Sequence, residues 1–157
     1  MLLANDTLTL EERLAGAQRF ATDPNMGVRE AAWMTFRPRL AMELKKGLRL
    51  LGQWVQHEDA GVRRCAIEAT RPRGVWTEHI QALKSDPSLG LPLLETVRTD
   101  ASRYVQLSVA NWLNDASKSQ PDWVRKVCAR WLKESTTPET KWIVHHALRT
   151  LRKASGA

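Results

Sequence analysis

Four segments of the chain align on a shared helical opening, and this recurrence limits the possible folds more than any other feature. The copies are DPNMGVREAA (residues 23–32), EDAGVRRCA (58–66), DASRYVQLSV (100–109) and TKWIVHHA (140–147), with first apolar residues Val28, Val62, Val105 and Ile143. These anchors stand 34, 43 and 38 positions apart. A repeat of that length is one supersecondary unit that cannot bury its apolar face alone, so neighbouring units must stack. The expected fold is all-α.

Apolar residues recur with helical rather than alternating period almost throughout. Helices are predicted near 9–21, 27–36, 39–56, 60–70, 77–84, 87–98, 101–118, 121–134 and 138–153. Thr9 and Glu12 form a capping-box pattern at the first start, and Pro38, Pro72, Pro87, Pro121 and Pro138 fall at or beside predicted junctions. Pro92, close to Gly90, predicts a short or kinked helix. The repeat lengths match HEAT-type helix pairs, which gives a single domain over 1–157. Its architecture is expected to be a short right-handed α-solenoid with a basic concave face, the repeated helices lying near 27–36, 60–70, 101–118 and 138–153. No apolar run reaches membrane-spanning length, so a cytoplasmic protein is expected, with no membrane partner. Cys65 and Cys128 lack the spacing of a disulfide framework or a zinc cluster.

Charge is unevenly distributed. Residues 1–60 carry eight acidic and eight basic side chains, so the whole net charge of +7 lies in residues 61–157. That asymmetry points to a polyanion, with nucleic acid the first candidate. Advancing about 100° per residue from each anchor places the +4 and +7 positions on an apolar stripe. The +2, +6, +9 and +10 positions fall between about 180° and 280°. They hold Glu30, Arg64, Leu107 and His145; Met34, Glu68, Asn111 and Arg149; Arg37, Arg71, Asn114 and Arg152; and Pro38, Pro72, Asp115 and Lys153. Two carboxylates, Glu68 and Asp115, therefore stand among arginines and can face a common groove.

Acids in a phosphate-binding groove repel the phosphate unless they answer a cation. A purine alkylated at N3 or N7 is such a cation, and its sugar becomes oxocarbenium-like as the glycosidic bond breaks. A fixed carboxylate stabilises that charge and can position water. The departing base is already positive, so no general acid is required.

Four stretches carry a further likeness: VREAAW (28–33), EATRPRGVW (68–76), SVANWLNDASK (108–118) and KWIVHHALRTL (141–151). Together they resemble the HEAT-like DNA alkylation-repair glycosylases of the AlkC/AlkD type, nearer the AlkC branch, over residues 20–153. The resemblance implies excision of cationic N3- or N7-alkylpurines from duplex DNA, with no metal or nucleotide cofactor and without flipping the base into a pocket. By motif, it implies that Glu68 and Asp115 lie near the sugar and that Trp76 contacts the deoxyribose. Trp33 stands where an acid is expected in some relatives, leaving Glu30 as the nearby carboxylate, and helices found upstream in relatives are expected to be missing.

Trp33, Glu30 and Trp112 are thus candidates for groove or sugar contact, although Trp112 maps closer to the core stripe. Trp54, Trp123, Trp131 and Trp142 are assigned to packing. Arg37, Arg71, Arg73, Lys118, Arg149, Arg152 and Lys153 are the candidate DNA ligands, since a guanidinium grips a phosphate with two donors. His145 and His146 point about 100° apart on a helix and offer no metal site. The expected partner is duplex DNA containing alkylated bases, bound by a monomer that joins the nucleoid when on DNA. The alternative is a non-catalytic HEAT-repeat scaffold binding DNA or an acidic protein.

Overall fold

The repeated opening has a structural cause, visible in the computed structural model, which describes residues 7–74 and 76–156. Arg29 and Arg63, each one residue past its anchor, reach back to the carbonyls of the preceding turn: Arg29 to Asp23 and Pro24, Arg63 to His57 and Glu58. In the third copy Gln106 occupies the same position and donates to the Asp100 carbonyl at 2.7 Å. Each satisfies acceptors that the turn would otherwise leave bare. The acidic residues serve the same turns, Asp59 accepting from Gly61 N–H and Asp100 from Ser102 N–H.

The helices are α1 (Leu10–Gln18), α2 (Met26–Met42), α3 (Leu44–Trp54), α4 (Ala60–Ala69), α5 (Gln81–Ser85), α6 (Leu91–Thr96), α7 (Arg103–Ser117), α8 (Pro121–Glu134), α9 (Pro138–Ala147) and α10 (Arg149–Ala154). Single 3₁₀ turns at Arg19–Thr22 and Pro87–Gly90 follow α1 and precede α6. The repeated helices α2, α4, α7 and α9 stack in chain order as one row. α1, α3, α6 and α8 pack along that row as a second layer, so the all-helical α-solenoid is as expected. The core lies between the layers. Ala32, Ala66, Val109 and Ala147, the four +4 residues, are all buried, and the three alanines leave room for close helix approach. No helix among the described residues is long and apolar enough to cross a membrane.

Several boundaries differ from expectation: the helix expected at 77–84 starts only at Gln81, and the one expected at 87–98 opens as a 3₁₀ turn before α6. α2 does not stop before Pro38 but runs through it to Met42. Pro38 is exposed, so the backbone acceptor that its missing N–H leaves bare lies on a side open to water. The segment 138–153 breaks at Leu148 into α9 and α10. The Thr9–Glu12 capping box is formed in both directions, and Pro92 sits in the first turn of the short α6.

Trp112 anchors the middle of the core. It is fully buried and donates its indole N–H to Thr70 Oγ1 at 3.1 Å, joining α7 to the end of α4. Gly90 lies against the ring so closely that an added Cβ would come within 2.5 Å of Trp112 Cζ2. Gly90→Ala should therefore cost about 1–3 kcal/mol by overpacking, read as a lower urea midpoint with an unchanged slope.

Candidate functional site

A ladder of alternating charge crosses the inner row from α2 through α4 to α7. On α2, Glu30 accepts the Trp33 indole N–H at 2.8 Å and pairs with Arg64 of α4. Arg64 lies 3.7 Å from Glu68 one turn further on and also stacks over the Tyr104 ring of α7. Glu68 accepts from Ser108 Oγ of α7 at 2.8 Å and from Arg71 at 3.4 Å. Arg71 then grips Asp115 with two parallel bonds, Nε to Oδ2 at 2.8 Å and Nη2 to Oδ1 at 3.1 Å. This side-on, two-donor geometry fixes orientation as well as charge.

The structure thus brings Glu68 and Asp115 into one network, with Arg71 as the bridge. Their side chains are only 5% and 6% exposed. Burial alone would lower the Arg71 guanidinium, yet its bonds to Asp115 and the charges of Glu68 and Asp115 carry it above its ordinary value. Within the ladder the ion pairs of Glu30, Glu68 and Asp115 go to Arg64 and Arg71, while Arg37 also lies within electrostatic reach of Glu68 and Asp115, and Arg149 of Asp115.

Toward the Asp115 end and the C-terminal helices the cations lack acids. Among the described residues Arg73, Lys118, Arg149, Arg152 and Lys153 have no carboxylate partner, whereas arginines of the other layer, such as Arg98 and Arg130, share Glu95 and Glu134. Arg149 donates to Asn111 Oδ1 at 2.8 Å and to the His146 carbonyl at 2.9 Å. Burial lowers its pKa, opposed by Asp115 and reinforced by Arg71 and Arg152, so these four charges are close neighbours. Arg73 donates to Ser119 Oγ at 2.8 Å, just beyond the exposed Lys118 at the end of α7.

Several expectations change. Arg37 is not a surface phosphate ligand: it is 2% exposed and donates to the carbonyls of Ala69 and Glu78. The face map missed this because it describes one helix at a time and could not see that the 70–80 loop covers that side of α2. Arg71 is committed to two acids rather than free for phosphate. Trp33 and Trp112 are core residues rather than groove surfaces, being 4% and 0% exposed. Trp54 and Trp131 are buried as expected, while Trp123 and Trp142 pack at the core margin. Trp142 also stacks on His146 and lies under the Arg103 guanidinium.

Trp76 behaves unlike the other tryptophans. It is 91% exposed at the tip of the 70–80 loop, with a left-handed backbone at φ 65°. No hydrogen bond or ion pair among the described residues ties it to Glu68 or Asp115. Sequence reasoning missed Tyr104, which takes a hydrogen bond from Arg29 at 3.0 Å and packs under Arg29 and Arg64. Its position one residue before the Val105 anchor was the available signal.

Residues 30–151 match the family described as DNA alkylation repair enzyme. An uncharacterized protein of Bacillus subtilis, YhaZ, is 49% identical over 117 residues, 74% of this chain and 32% of that protein. The chain therefore spans about a third of the curated relative it matches. Among solved structures, the Pseudomonas fluorescens alkylpurine DNA glycosylase AlkC, bound to DNA containing an abasic site analog, superposes with a TM-score of 0.71 at 32% identity, over 92% of this chain and 42% of that one. AlkD2 from Streptococcus mutans superposes with a TM-score of 0.73 at 28% identity, over 88% and 65% of the two chains.

Proposed function

Because the chain belongs to the DNA alkylation repair enzyme family, we propose that it binds duplex DNA along the inner row and excises cationic N3- or N7-alkylpurines by hydrolysing the glycosidic bond. The observation that carries this reading is the convergence of the buried carboxylates Glu68 and Asp115 in one network, beside cations that among the described residues have no carboxylate partner. The cations suit phosphates, and the acids suit positive charge at the lesion. As the C1′–N bond breaks, its electron pair leaves with the base and cancels the base's charge. Water adds to C1′ and gives up a proton, which a carboxylate can accept. Asp115 can serve here although Arg71 occupies both its oxygens, since each oxygen retains a second lone pair. Placing a fixed negative charge where the sugar becomes positive is electrostatic catalysis that needs no reorganisation at the moment of reaction.

The binding-only reading also has its observation: the carboxylates of Glu68 and Asp115 already have protein partners. Release of 7-methylguanine or 3-methyladenine from methylated duplex DNA at enzyme excess decides between the two, and no release rejects the glycosylase reading. A separate measurement tests the DNA surface. If Arg73, Lys118, Arg149, Arg152 and Lys153 each meet a phosphate, log affinity should fall linearly with log salt at a slope of about −4.5. A flat salt response would remove DNA as the partner.

A further inference from the structure

Arg37 is one of the largest fully buried side chains, yet among the described residues it has no carboxylate partner. Its two bonds, both 3.0 Å, go to neutral carbonyls, and its Nε has no partner. Burial, and then the nearby Arg71, push the guanidinium down to about 10 against the opposing charges of Asp115 and Glu68, so it is still charged at neutral pH and its burial is only partly offset. A methionine would fill the same volume without that cost. The arginine adds a link between two backbone points: Ala69, the last residue of α4, and Glu78, on the far limb of the loop.

Between those points stands Trp76, large, apolar, exposed and held in a backbone region that β-carbon-bearing residues avoid. Such a conformation persists only where its surroundings fix it. Pro72 and Ile80 are buried at the base of the loop, but a cleft of about 580 Å³ lies between its Thr77–His79 limb and the Arg37–Met42 side of α2, so that limb lacks close packing there. Its other ties are Ile80 N–H to the Pro72 carbonyl, Arg73 to Ser119, and the tight turn at Gly74, where an added Cβ would come within 2.5 Å of the Thr77 carbonyl oxygen.

We propose that Arg37 is a positioning residue, a buried strut that clamps both ends of the 70–80 loop and so holds Trp76 out toward the DNA. The catalytic consequence rests on the glycosylase reading; the clamp itself does not. In hydrogen exchange, Arg37→Met should speed exchange of the 70–80 amides about tenfold while α7 and α9 stay protected. Arg37→Lys, which keeps the charge and can reach one carbonyl, should fall between. On methylated duplex DNA, single-turnover release should drop by about 10²-fold in Arg37→Met with DNA affinity little changed. Trp76→Ala should drop equally, and the double variant no further. Gly74→Ala, which displaces the loop with Arg37 intact, should match them and keeps the test available if Arg37→Met does not fold. Unchanged loop exchange in the Arg37 variants, or losses that multiply in the double variant, would overturn the proposal. If the wild-type protein releases no base, the glycosylase reading fails and the exchange measurements alone decide the clamp.

Discussion

Asp115→Asn is expected to slow release of 7-methylguanine by about 10²–10³-fold, the usual scale for removing one fixed group that answers transition-state charge. DNA affinity should hold or tighten, because the substitution removes a negative charge from the surface proposed to meet phosphates. The opposite signs make the experiment informative. Were Asp115 only the partner that orders Arg71, the variant would lose stability and DNA affinity together, and its release rate would fall no more than binding does. Breaking a buried pair from one side costs about 3–5 kcal/mol under either reading, so thermal unfolding measured alongside checks that the variant is folded, and the split between release rate and affinity distinguishes the outcomes. Glu68→Gln should act in the same direction but less strongly, as it keeps an acceptor for Ser108.

Trp112→Ala is expected to destabilise the fold by about 3–5 kcal/mol, a large part of the total stability of a domain this size. The indole fills the space between Gly90 and Trp123 and satisfies Thr70, so its loss opens a cavity and strips a hydrogen bond in one step. Trp112→Phe keeps most of the volume and should lose markedly less. Urea titration of both variants checks this, and a small effect in Trp112→Ala would mean that the ring is not a central packing element.

The stacked row was legible because its information is local and periodic: the anchors, the buried +4 residues and the caps each depend on a few neighbouring residues. The same geometry placed Glu68 and Asp115 on one side, and the structure links them. What escaped the sequence depends on segments distant in the chain. Arg37 has the helical phase of a groove residue and is buried only because a loop more than 30 positions later folds over it. Pro38 resembles a helix end, but its exposed side tolerates a missing N–H. Arg71 has the helical phase of a DNA ligand, but its two-donor partner Asp115 lies 44 residues away. Trp76 was selected by motif alone; no periodicity predicts an exposed tryptophan on an irregular loop.

The contacts between α4 and α7 have one more consequence. Arg71 to Asp115, Glu68 to Ser108 and Thr70 to Trp112 all cross that boundary within two turns of helix, while Arg63 ties the start of α4 to Asp100. A spring pinned at its midpoint has little freedom to change curvature there. Any duplex that docks across this boundary must supply the bending itself, so the energy of fit depends on how readily the DNA deforms at that point. The stiffness of two helices thereby becomes a measure of the flexibility of the molecule laid against them.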